Sequence, residues 1–172
     1  MILYLDTSAL VKRYFREPFS EGIVSRWGSA AHLVTSFVAY AETMAALHRK
    51  KREANVAEDL FRRITEQFHE DWQSFVRVEV NVGLEPYIHE VFERHALRGF
   101  DAIHLASALL IRERLPRELV FACFDAGLLR AARGEGLETF PGQADLHGYV
   151  QELNLRTPDE STALIRGDRD RR

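Results

Sequence analysis

Cysteine is almost absent: Cys123 is the one thiol in 172 residues. No internal disulfide can form, and a reducing, cytoplasmic setting is expected. No apolar run approaches the roughly 20 residues of a membrane span. Met1 leads straight into an apolar segment with no basic stretch before it, so no secretory leader is expected either. Positive charge is not in excess, since 23 Lys and Arg against 26 Asp and Glu leave a net charge of −3. A site for a polyanion such as nucleic acid therefore has to be local. Cysteine ligands and paired histidines are missing too, which excludes a thiolate–imidazole zinc site. No internal repeat is visible.

What is present is an ordinary globular composition, with 46% hydrophobic and 28% charged residues. It is enough chain for one domain with a sizeable core. We place that domain at residues 1–153, with a closing helix over 145–153. Residues 154–172, polar and ending in Arg-Gly-Asp-Arg-Asp-Arg-Arg, read as a flexible tail.

Two segments organise the rest. Ile2-Leu3-Tyr4-Leu5 and the run from Leu119 to Phe124 are continuous and apolar, the pattern of strands buried on both faces of a parallel sheet. Each ends in an acid, Asp6 and Asp125. Between them, residues 8–16, 18–28, 37–51, 54–72, 83–97 and 99–111 have helical character, with Ser36 as an expected N-cap. Residues 33–35 suit a strand. So do residues 75–82, whose alternating valines mark a sheet edge with one face in water. A short helix at 127–133 and a strand at 137–140 follow. The alternation predicts a three-layer α/β/α domain with a mostly parallel sheet of about five strands. The strand from Ile2 is central and the one from Leu119 lies beside it across the switch point, where such sheets place their ligand sites.

Four acids are the candidate site: Asp6, Glu42, Asp101 and Asp125. Each Asp precedes a helical pattern, so capping alone explains any one of them. Glu42 is different, because its helical neighbours Val38, Ala39, Ala45 and Ala46 are apolar. A carboxylate on such a face must lose its charge or find a cation. Two carboxylates about 4 Å apart repel by roughly 4 kcal/mol at an effective dielectric of 20. Four together need a neutralising ion. An all-oxygen donor set suits Mg²⁺, with Mn²⁺ as a substitute, and such ions support in-line hydrolysis of phosphodiesters.

Four stretches, taken in order over about residues 1–140, resemble the PIN domain, and within it the VapC-like toxin ribonucleases. They are Asp6-Thr7-Ser8-Ala9-Leu10, Ala39-Tyr40-Ala41-Glu42, Gly99-Phe100-Asp101-Ala102-Ile103-His104-Leu105-Ala106, and Phe124-Asp125-Ala126-Gly127-Leu128-Leu129-Arg130-Ala131-Ala132. The resemblance implies a Mg²⁺-dependent endoribonuclease whose metal-binding and catalytic residues are Asp6, Glu42, Asp101 and Asp125. It also implies a homodimer, an RNA substrate and a cognate antitoxin that blocks the pocket. Ser8 is expected to support a ligand of the metal. Many relatives have Ser or Thr two residues before the last Asp; here Cys123 stands there, a weaker hydrogen-bond partner.

His104, one helical turn after Asp101, is a supporting candidate that would touch the pocket or the scissile phosphate. Lys12, Arg13 and Arg130 are candidate phosphate contacts, and Arg49-Lys50-Lys51-Arg52 is the densest basic run. Thr7 reads as structural. Other readings are a PIN-type nuclease in RNA processing or acting on DNA, and a catalytically silent RNA- or metal-binding module. A phosphoacceptor domain is disfavoured, because it has no use for Glu42 and no lysine follows the last strand.

Overall fold

The computed structural model describes residues 1–148. In chain order the elements are β1 (Ile2–Leu5), α1 (Thr7–Val11), α2 (Ser20–Ser29), β2 (His32–Ser36), α3 (Ala39–Glu53) and α4 (Glu58–Ser74). They continue with β3 (Val76–Val78), α5 (Glu85–Arg94), α6 (Gly99–Arg114), β4 (Leu119–Ala122), α7 (Ala126–Gly134) and β5 (Glu138–Phe140). The five strands pair in the order β3-β2-β1-β4-β5, every pairing parallel. β1 is therefore central and β4 its neighbour, as the two continuous apolar runs predict.

Side chains alternate across β1 because successive residues of a strand point to opposite faces. Ile2 and Tyr4 join a core with Val91 of α5, Leu105 of α6 and Leu128 of α7. Leu3 and Leu5 join another with Leu10 of α1, Ile23 of α2, Leu47 of α3 and Phe68 of α4. The layers follow from this division: α1–α4 cover one face and α5–α7 the other. β1 to β3 are connected on the first face and β3 to β5 on the second. The crossovers thus diverge between β1 and β4, and the carboxyl ends of those strands form the switch-point crevice.

α6 is buried over most of its length, from Ala102 to Ile111 apart from Ile103, which matches its apolar circumference. β3 is the sheet edge but is shorter than the alternating valines suggest, because Glu79 onward leaves the ladder. α2 lies close against β5. A side-chain carbon at Gly22 would come within 2.5 Å of the Phe140 ring, and Arg26 stacks 3.7 Å from the same ring centroid.

Several boundaries differ from expectation. The first helix stops at Val11 rather than near residue 16. Ser36 does not cap α3; it stays in β2, paired with Val78, and Val38 takes the cap position. The break between α3 and α4 falls at Ala54–Ala57, where Asn55 adopts φ +48°, a conformation asparagine tolerates better than most residues.

Met1–Phe140 forms one compact unit, and a second begins at Pro141. In the second, residues 143–148 are helical and the Gly142 N–H donates to the Asp145 carboxylate at 2.7 Å. The rest of the helix expected over 145–153, and the expected tail at 154–172, lie outside the described residues. Among the described residues no helix is long and apolar enough to cross a membrane.

Candidate active site

Asp6 leaves the end of β1 and caps α1, its Oδ2 accepting the Ser8 N–H at 3.1 Å and the Ser8 hydroxyl at 2.6 Å. That hydroxyl also accepts the Phe124 N–H at 2.8 Å, which ties the end of β4 to the end of β1. Asp125 caps α7, accepting the Leu128 N–H at 2.8 Å. Capping and site placement coincide for these two, because the strand-to-helix turn points an N-cap carboxylate at the crevice. Asp101 is different. It lies in the first turn of α6, and Arg98 holds the cap position without making a side-chain cap bond.

Cys123 fills the place of a hydroxyl by accepting the Asp125 N–H on Sγ at 3.2 Å. Burial, and after it the charge of Asp6, pushes its thiol pKa well up, so the sulfur stays protonated.

The four acids form two pairs, Asp6 and Glu42 around His104, and Asp101 and Asp125 around Arg98. Glu42, in the first turn of α3, accepts the Thr7 hydroxyl at 3.0 Å and His104 Nε2 at 2.9 Å, both on Oε2. The same imidazole nitrogen lies 3.5 Å from Asp6 Oδ1. His104 is fully buried and its Nδ1 lies 3.1 Å from the Tyr4 hydroxyl. Burial by itself lowers the imidazole pKa, but Asp6 and Glu42 outweigh it and the net shift is upward. On the other side, Arg98 Nε donates to Asp101 Oδ2 at 2.9 Å and Nη2 to Asp125 Oδ2 at 3.4 Å. Asp101 has its pKa raised by burial first. Arg98 works against that, while the charges of Asp125 and Asp6 add to it. The two pairs therefore feel one another across the crevice.

A cleft of about 380 Å³ opens here, lined by Glu42, Arg98, Gly99, Phe100 and Asp101. The larger hollow, about 580 Å³ between Lys12 and Ser25, contains none of the four acids.

The supporting residues are placed unevenly. His104 meets the pocket from beneath and, being fully buried, is out of reach of a bound phosphate. Lys12 is turned inward, 3.0 Å from Glu17 and 4.4 Å from the Phe124 ring centroid. Its ammonium is already engaged. Arg13 lies 3.8 Å from Asp71 and over the Trp27 ring, and Arg130 is exposed on α7. In the basic run, Lys50 pairs with Glu17 and Lys51 with Glu58. The sequence does not single out Arg98 or Tyr4, and Thr7, structural by its sequence context, contacts the Glu42 carboxylate. The three-residue step from Arg98 to Asp101 permits an ion pair, but nothing in the sequence marks Asp125 as the second carboxylate it reaches.

Among the described residues no three Asp, Glu, His or Cys side chains stand close enough to hold a metal ion as they are now arranged. The donor chemistry still fits a hard divalent cation. Glu42 and Asp101 line the cleft, Asp6 is linked to Glu42 through His104, and Asp125 is linked to Asp101 through an exposed guanidinium.

The sequence profile of the PIN domain matches residues 3–134. This chain belongs to the PIN-domain family. Two curated relatives of the PIN domain described here are Ribonuclease VapC45 of Mycobacterium tuberculosis strain CDC 1551 / Oshkosh and Ribonuclease VapC49 of strain ATCC 25618 / H37Rv. Each is 31% identical over 144 residues, covering 84% of this chain and 98% of the relative. A solved structure of VapBC2 from Rickettsia felis, bound to a DNA fragment from their promoter, superposes with a TM-score of 0.55. The alignment covers 81% of this chain and 97% of that one at 12% identity, a likeness of fold.

Proposed function

We propose that this PIN domain is a Mg²⁺-dependent endoribonuclease and the toxin of a type II toxin–antitoxin pair. What supports the reading is the pairing of Glu42 with Asp6 through His104 and of Asp101 with Asp125 through Arg98, in a chain whose curated relatives are named ribonucleases. Asp6, Asp101 and Asp125, with Glu42, would hold the ion, for which Mn²⁺ can substitute. The chemistry such an ion would supply there is polarisation of a phosphodiester and activation of water for in-line attack.

The chain's own residues prepare that chemistry. The Ser8 hydroxyl and amide fix the Asp6 carboxylate, and Thr7 and His104 hold Glu42 by one oxygen. The other Glu42 oxygen is left to orient or deprotonate the attacking water. Phe100, exposed on the cleft wall, and Arg130, exposed on α7, are the contacts offered to RNA, whereas Lys12 serves packing. The partner is a cognate antitoxin that covers the crevice; the relatives and the fold neighbour carry the names VapC and VapBC. A homodimer and a cytoplasmic location, the latter in keeping with one buried free thiol, complete the proposal.

The test is incubation of purified protein with total RNA in Mg²⁺, in Mn²⁺ and in chelator, with mapping of new ends. Discrete ends with either ion and none with chelator are expected, and Asp6→Asn should abolish them while the fold persists. Undiminished cutting by that variant, or in chelator, would refute the assignment.

A further inference from the structure

We propose that Arg98 is a tethered cation that holds Asp101 and Asp125 together in the metal-free protein and yields its place when a divalent ion enters. By doing so it sets the affinity of the site. The inference rests on the metal-dependent reading above and adds a residue that competes with the metal.

The geometry is specific. Arg98 occupies the N-cap position of α6 with extended backbone (φ −74°, ψ 161°), yet its side chain makes no cap bond. Instead one guanidinium spans two carboxylates on different elements, Asp101 in α6 through Nε and Asp125 before α7 through Nη2. A planar fork of donors holds such a bridge in a fixed geometry, which an ammonium on its flexible stem does not. Both bonds go to Oδ2 atoms, and the carboxylates so joined are those proposed to ligate the ion. A divalent ion and a guanidinium bound to the same pair repel one another, so one must withdraw.

Arg98 is equipped to withdraw, because its side chain is 79% exposed and hydrated. An exposed pair of this kind is weak and easily exchanged. The pairing is nonetheless felt. The hydrogen bond to Asp101, then its charge, raises the Arg98 pKa, and Arg98 in turn opposes the upward shift that burial imposes on Asp101. The other half of the pocket needs no such partner, since His104 is already fixed beneath Asp6 and Glu42.

The test is Mn²⁺ binding to the full chain without RNA, by calorimetry and by the electron paramagnetic resonance signal of free Mn²⁺. Wild type, Arg98→Gln and Arg98→Lys are compared. Arg98→Gln should bind Mn²⁺ roughly three- to tenfold more tightly, the scale of a weak ion pair removed. Arg98→Lys keeps the charge but loses the fork, and should fall between the two. If Arg98→Lys matches wild type, or Arg98→Gln binds no more tightly, the bridge is not a competitor and the inference fails, while the acidic site stands. If none of the three binds Mn²⁺, the metal-dependent reading fails and takes this inference with it.

Discussion

His104 Nε2 sits 2.9 Å from Glu42 Oε2 and 3.5 Å from Asp6 Oδ1, beneath a crevice whose other acids answer to Arg98. A buried imidazole between two carboxylates explains how an acid survives on the apolar face of α3. A donor from α6 and a hydroxyl from α1 meet the Glu42 carboxylate there.

Truncating that imidazole should be costly. His104→Ala opens a cavity and removes one partner each from the buried Tyr4 hydroxyl, which keeps Ser107, and from the Glu42 carboxylate, which keeps Thr7. We expect a loss of roughly 2–4 kcal/mol of unfolding free energy. Urea denaturation in chelator measures it, and a change under 1 kcal/mol would show that the relay carries little stability.

Thr7 should act through Glu42 rather than on substrate. Thr7→Val removes the 3.0 Å hydrogen bond at nearly constant volume and is expected to lower kcat roughly tenfold with KM little changed. Thr7→Ser should recover most of the loss. A Thr7→Val variant with wild-type kcat would leave Thr7 as packing alone.

Acid should attack the structure at Glu17 and Glu135. Glu17 is pushed up by burial, but Lys50 and Lys12 overcome this and hold its pKa below the usual carboxylate value. Glu135 behaves likewise beside His95 and Arg94. A carboxylate with a folded-state pKa below its unfolded value adds stability that is present above the unfolded pKa. That stability is lost as pH falls through the folded one. Metal-free protein should therefore lose stability from about pH 4.5 downward, and Glu17→Gln should flatten that limb. Thermal unfolding across pH 3–6 reads both. An unchanged slope in the variant would remove Glu17 from the explanation.

Cys123 should be inert in the folded protein. It is buried and its thiol pKa is raised by burial and by Asp6, and thiolate is the reactive form. Alkylation should be slow in buffer and fast in denaturant. Cys123→Ser, which still offers an acceptor to the Asp125 N–H, should keep RNA cleavage within about threefold. Rapid native labelling would mean that the β4 end opens.

Much of this architecture could be read from residue order. Ile2–Leu5 and the run from Leu119 to Phe124 are unbroken and apolar because both faces of β1 and β4 are covered, and the acid ending each run marks the switch point. Glu42 stood out because its helical neighbours are apolar. Arg98 did not, since nothing in sequence separates an arginine bridging two acids from one in an ordinary surface pair. Ser36 misled because a good capping residue was needed in the β2–β3 pairing instead. The break after α3 carries no Gly or Pro; Asn55 makes the turn in the left-handed region. Lys12 looked like a phosphate contact because sequence does not show that Glu17 lies within its reach.

The most direct measurement is the anomalous scattering of Mn²⁺ soaked into crystals of the protein. A single strong peak is expected in the crevice, with carboxylate oxygens of Asp6, Asp101 and Asp125 around it and Glu42 facing it. No peak there, or a peak held by acids elsewhere on the surface, would contradict the convergence on which the nuclease reading stands.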